Sequence, residues 1–245
     1  MRIKKSIGNY SKKRAEKYLK LGLLSLIPFT ILFLTSVTWL PTYINVGGFE
    51  TLRGLLAGIW ITLSAIYLWE PFYAWKNGLE GEALVVRNLS NKLGNEYAIF
   101  NDVLLKDGKK GNIDHIVVGP TGIFVIETKS NSGTVVFDNY IWKRGVSGNP
   151  SQQVLGNALR IKDILKNCEV SDDIEPYVDA ILLFSNPKAR LQLYGNPKNC
   201  SVIQIKSEND TKLSEFIINR ISLFSTQQID LIEKCLKSKI SNYEE

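Results

Sequence analysis

The triplet Glu127-Thr128-Lys129 follows an apolar run, Ile123-Phe124-Val125-Ile126, with the β-branched and aromatic character of a strand. Alternate side chains of a strand share a face, so Glu127 and Lys129 project together and Thr128 points away. A second β-rich run, Ile113 to Val118, precedes it across Gly119-Pro120-Thr121-Gly122, which reads as a hairpin turn. If the loop is even-numbered and centred on Pro120-Thr121, paired positions sum to 241 and Asp114 faces Glu127, with Cβ atoms roughly 5 Å apart. Two carboxylates at that distance repel unless a cation lies between them, which is the physical reason to expect a hard divalent metal. A three-residue loop with Gly122 left-handed is the alternative. That slip of one would set Asp114 opposite Thr128, on the wrong face.

These side chains need elements to position them. Gly78 to Leu93 sets Leu79, Ala83, Val86 and Leu93 on one helical stripe and carries Glu82; Gly94-Asn95 stops it. Tyr97 to Leu105 and Gly133 to Asp138 read as strands. Asn149-Pro150 opens a helix through about Asn167, with Pro150 suited to its first position and Gln152 and Gln153 in its first turn. Tyr177 to Phe184 and Ser201 to Ile205 have the composition of buried strands, and Ser225 with Gln228 forms a capping box at the start of a last helix. This order of elements describes an α/β sandwich. His115, the single histidine, points away from Asp114 by strand alternation and is expected to make a structural hydrogen bond. Trp142 is expected to pack on the sheet, and the turn pair Lys109-Lys110 to be solvated. Cys168, Cys200 and Cys235 show no paired or zinc-like spacing and read as reduced, buried thiols.

The 30 bases and 24 acids are unevenly placed: residues 1–20 carry eight bases against Glu16, leaving 22 bases against 23 acids in the remainder. The basic balance therefore belongs to a tail, and any phosphate-binding charge on the folded domain must be a local cluster. Residues 21–40 are twenty without a charge, enough for about 30 Å of hydrocarbon. A second apolar run, Gly54 to Trp69, continues through Pro71 to Trp75, with aromatic residues at the ends of both runs. The expectation is a basic cytoplasmic tail over 1–20, a two-helix transmembrane hairpin over 21–75 and a cytoplasmic domain over 76–245. Both termini are then cytoplasmic, in an integral protein of the plasma or cytoplasmic membrane whose tail touches anionic lipid headgroups. A cleaved signal peptide is the rival reading; the second run and the charge of the tail argue against it.

Taken in order, Gly81-Glu82, Ile113-Asp114-His115, Gly122 through Lys129, Gly133, Trp142 and Asn149-Pro150-Ser151-Gln152-Gln153 resemble the nuclease-related domain, NERD, a branch of the PD-(D/E)xK nuclease-like superfamily. The resemblance covers about residues 78–185, with Ile113 where the superfamily's proline would stand. It implies a restriction-endonuclease-like α/β/α core with a mixed sheet, in which Asp114 and Glu127 hold Mg²⁺ or Mn²⁺ with a neighbouring backbone carbonyl. By the same resemblance Glu82 is a further metal or water ligand, Lys129 orients the attacking water and offsets charge on the phosphate, and Gln153 steadies the site or the substrate backbone. Hydrolysis of DNA or RNA phosphodiesters follows as the expected reaction. A catalytically silent module that tethers nucleic acid or a partner protein to the membrane is the alternative.

Overall fold

The strand that ends in Glu127 explains the layering. In β4 (Gly122–Lys129) Ile123 and Val125 join one buried cluster while Phe124 and Ile126 join another, so both faces of the strand are covered. A strand buried on both sides must read as a continuous apolar run, as this one does. The computed structural model describes residues 1–5, 16–17, 19–24, 27, 47–108, 111–168 and 177–241. It divides into two compact units, one of Met1–Asn9 with Gly78–Glu245, the other Tyr10–Asn77.

The first unit is a mixed α/β fold. Its main sheet has six strands in the order β1-β2-β3-β4-β7-β9: β1 (Arg2–Lys5), β2 (Ala98–Val103), β3 (Ile113–Gly119), β4, β7 (Val178–Phe184) and β9 (Ser201–Gln204). Strands β2, β3 and β4 run antiparallel, and the other pairings are parallel. On one face Val85, Val86, Leu89 and Leu93 pack with Leu213 and Ile217 over Phe124, Ile126, Ile181 and Leu183. The first four belong to the end of helix α1 (Gly47–Lys92) and the residue just past it, and the next two to α3 (Lys212–Ile218). The other face is covered by α2 (Pro150–Lys166), through Val154, Ala158, Ile161 and Leu165, and by α4 (Thr226–Lys239), through Ile229, Ile232 and Leu236. A second sheet of three strands, ordered β6-β5-β8, is built from β5 (Gly133–Asp138), β6 (Ile141–Arg144) and β8 (Ala189–Tyr194).

Several expectations need correction. Among the described residues no helix is long and apolar enough to cross a membrane, which overturns the reading of an integral membrane protein and the orientation built on it. Residues 54–75 lie inside α1, where Arg53 and Glu70 bound an uncharged stretch of only sixteen residues, about 24 Å of helix against a hydrocarbon core of about 30 Å. Most of the first apolar run, 21–40, and the Lys109-Lys110 pair fall outside the described residues. The start of the expected tail is a strand instead. Arg2 to Lys5 pair in parallel with β2, the Met1 amine donates to Leu93 O, and Arg2 and Lys4 both pair with the buried carboxylate of Glu233 on α4. These two bases thus neutralise a buried acid rather than meet lipid headgroups.

The cysteines differ too: Cys168 and Cys235 are joined as a disulfide, with Cα atoms 6.1 Å apart, and Cys200 is free and buried. The two bonded residues are 67 positions apart in sequence, a separation that hid their meeting where the end of α2 packs on α4.

Candidate active site

The hairpin turn sets the site's geometry from its far end. Paired residues run from Gly119↔Gly122 to His115↔Ile126, a two-residue loop whose positions sum to 241. The pairing ends there; carried one step past its last pair, the same register would set Asp114 opposite Glu127. Packing holds the turn there: a Cβ on Gly119 would fall inside the Tyr97 ring, Tyr97 Oη bonds Thr121 Oγ1 at 3.0 Å, and the amides of Leu223 and Phe224 both donate to Pro120 O. A slip of one residue would break all of these contacts.

At the open end of the hairpin the charged groups gather. Asp114 Oδ2 accepts from the amide of Thr128 at 2.7 Å. Glu127, only 3% exposed, takes Lys129 Nζ on its Oε1 at 2.7 Å, while its Oε2 is buried with no hydrogen-bond partner. Lys129 Nζ also donates to Gln153 Oε1 at 3.3 Å. Gln153 is delivered by the start of α2, where Asn149 Oδ1 accepts from the Gln152 amide and from Ser151 Oγ, and Ser151 Oγ accepts from Trp142 Nε1 at 3.0 Å. The tryptophan ring itself packs against Phe137 and Phe184.

Glu82 arrives from α1 through a close approach. A Cβ on Gly81 would lie 2.5 Å from Ser185 Oγ and 3.0 Å from Ser130 Cβ, so only glycine lets the helix come this near the ends of β4 and β7. Burial pushes the Glu82 carboxyl up to about 7, with Asp102 and Glu127 adding repulsion. Asp114 is held well above its ordinary value by burial, then by Glu127 and Glu82, against the opposing pull of the Thr128 amide and Lys129. Burial also raises Glu127, offset by Lys129 and Gln153. Neighbouring acids disfavour the ionised forms of Glu82 and Asp114, the electrostatic state of a site short of positive charge.

Asp102 belongs to this field and was missed by sequence reasoning. It is 1% exposed, has φ +50° and accepts from Asn112 Nδ2 at 2.7 Å. In the sequence it follows Asn101 near the end of the strand Ala98–Val103, where a polar pair reads as the strand's edge rather than as part of a site. His115 lies away from the acids: its Nδ1 donates to Asn101 Oδ1 at 2.8 Å, and full burial lowers its pKa to about 3. A ring that stays neutral in this way is no proton shuttle near pH 7.

Among the described residues no group of three or more His, Cys, Asp or Glu stands ready to hold a metal ion. The donor chemistry still suits a hard cation, since Mg²⁺ is commonly held by one or two carboxylates and completed by water and substrate phosphate rather than by an all-protein cage. The unpartnered Glu127 Oε2 beside Asp114 is a donor of that kind.

The acids, the lysine and the glutamine all lie within one stretch that matches a known family. Residues 77–185 match the model of the nuclease-related domain. This region carries all the charged groups just described and supports a nuclease-like function at the level of the family. An uncharacterized protein of Bacillus anthracis, pXO1-01, is 41% identical over 63 residues, which is 25% of this chain and 29% of that protein. The chain therefore spans under a third of that curated relative. Among solved structures, Pyrococcus furiosus SfsA in complex with Ca²⁺ aligns over 52% of this chain and 55% of its own, at 11% identity and a TM-score of 0.29, a likeness too slight to carry an argument.

Proposed function

We propose that the nuclease-related region is a divalent-metal-dependent nuclease that hydrolyses phosphodiester bonds of DNA or RNA, on a restriction-endonuclease-like core. The observation that carries this reading is the pair Asp114 and Glu127, near enough at the open end of the hairpin to repel one another, with Lys129 paired to Glu127 and one buried carboxylate oxygen unpartnered. Packed cores do not keep such a set for stability: removing charge from water is costly, and the acids here raise one another's pKa.

Asp114 and Glu127, with Glu82 alongside, are the residues that would hold Mg²⁺ or Mn²⁺. Bound there, the ion would supply Lewis acidity and lower the pKa of a coordinated water. In the reaction, water adds to phosphorus, one P–O ester bond breaks, and the leaving oxygen gains a proton. Lys129 contributes a point charge against the negative charge that develops on the phosphate oxygens. Gln153 keeps that ammonium in place through Oε1 and so acts as a positioning residue.

The test is cleavage of single- and double-stranded DNA and RNA by the full chain, with Mg²⁺, with Mn²⁺ and with a chelator. Metal-dependent cleavage that vanishes in Glu127→Ala is the expected result. Equal behaviour of wild type and Glu127→Ala under every condition would overturn the enzyme and leave a binding module.

A further inference from the structure

Helices pack on both faces of the main sheet, and outside residues 1–20 the chain is nearly neutral, with 22 bases against 23 acids. The three-stranded sheet breaks that balance. Segments 133–148 and 186–200, which build it and its connections, hold Lys143, Arg144, Lys188, Arg190 and Lys198 against Asp138 alone. Its inner face is apolar and packed, through Val135, Phe137 and Trp142. Its outer face is open and carries Arg190, Gln192 and Tyr194 from β8, with Ile141 and Lys143 from β6.

Two tyrosines stand out on this surface: Tyr140 is 70% and Tyr194 63% exposed. Register brings them to one end of the sheet, since Asp138 pairs with Tyr194 on one side and with Ile141 on the other. Lys198 Nζ lies 5.8 Å from the Tyr140 ring centroid. Tyr140 also sits at φ +63° after Asn139 at +49°, in a two-residue turn where both positions must be left-handed. Glycine is the easy choice at that second position. A tyrosine held there at a conformational cost is better explained by what its ring does than by the turn.

From these observations we infer that the outer face of the β6-β5-β8 sheet binds single-stranded nucleic acid, its bases stacked on Tyr140 and Tyr194 and its phosphates met by Arg190 and Lys198. Aromatic rings on a positively charged open sheet suit unpaired bases, because every base has a face to stack and a duplex hides its own. The platform also connects to the candidate active site. Its inner-face residue Trp142 bonds Ser151, two residues before Gln153, which holds Lys129. This inference rests on the nuclease reading and names its substrate as a single strand.

The experiment measures fluorescence anisotropy of a labelled thymidine dodecamer, its uridine counterpart and a duplex of equal length. Each is titrated with the full chain in chelator, so that binding is read without cleavage. The single strands are expected to bind at least tenfold more tightly than the duplex. Tyr140→Ala with Tyr194→Ala should weaken single-strand binding about tenfold or more, and the double Phe variant should retain it. Arg190→Ala with Lys198→Ala should flatten the slope of log affinity against log salt by about 1.4, for two phosphates lost. Unchanged single-strand binding in the double Ala variant, or a preference for duplex, overturns the inference. Binding that depends on the tyrosines in a chain that never cleaves sinks the nuclease reading alone. Cleavage with binding indifferent to the tyrosines sinks the platform alone.

Discussion

The two sheets use the same alternation of side chains to opposite ends. In the six-stranded sheet both sides of β4 are buried, so the strand carries polar chemistry only at its end, at the buried Glu127 and the half-buried Lys129. In the three-stranded sheet one side is buried, and charged and aromatic residues can stand along the whole outer side. The first arrangement fixes a few groups to within a hydrogen bond; the second presents a broad surface with little geometric demand. The difference separates a place suited to bond-breaking from a place suited to holding a chain.

Substitutions can break that contrast. The largest effect is expected at Glu127, whose replacement by Ala or Gln should lower cleavage about a thousandfold or more, with anisotropy showing oligonucleotide binding retained. Loss of binding together with cleavage would mean that the two sheets do not divide the work. Next comes the core itself: Phe124 is fully buried, and Phe124→Ala should cost about 3–5 kcal/mol in denaturant unfolding. On the open sheet Tyr194→Ala should stay within about 0.5 kcal/mol of wild type. If the two substitutions cost the same, the outer face of the small sheet is not free.

The legibility of this fold in the sequence follows the same division. The hairpin register could be computed because a two-residue loop and period-two alternation leave little freedom, and Glu127 and Lys129 stand out as charges closing an apolar strand. The capping box at Ser225 and Gln228 was equally local, and forms as expected. Strand β1 was not legible: Arg2 to Lys5 read as tail because their partner Glu233 lies more than two hundred residues away. The Cys168–Cys235 bond was hidden for the same reason. Asp102 escaped because its place depends on a backbone turned to φ +50°, which no side-chain pattern announces. Residues 54–75 are apolar enough to suggest a span, but Glu70 closes the uncharged stretch that Arg53 opens, and what lies between is shorter than a bilayer core.

A smaller effect tests how α1 delivers Glu82. In Gly81→Ala the new methyl meets Ser185 Oγ at 2.5 Å and Ser130 Cβ at 3.0 Å. Ser185 Oγ is buried and has little room to swing aside, so the helix should retreat. A loss of about 1–3 kcal/mol in stability is expected, with cleavage reduced more than oligonucleotide binding. Equal losses in both would place the helix's role in folding alone.

The last effect concerns pH without metal. Glu82 has its carboxyl raised from 4.5 to about 7, chiefly by burial and then by Asp102 and Glu127, and Asp114 is raised as well. For an acid whose pKa is higher folded than unfolded, the folded state binds the proton more tightly, so its stabilising contribution is complete below the unfolded value. That contribution is lost as pH rises from about 4.5 through about 7. In chelator, the melting temperature of the unit bearing the site should therefore fall by on the order of 5 °C between pH 5 and pH 8. Glu82→Gln, which cannot ionise, should flatten that slope, and Mg²⁺ should oppose the fall by supplying the positive charge that the acids lack. A melting temperature that rises with pH in chelator would mean that these carboxylates are already compensated within the protein, and would remove the electrostatic argument for a cation between Asp114 and Glu127.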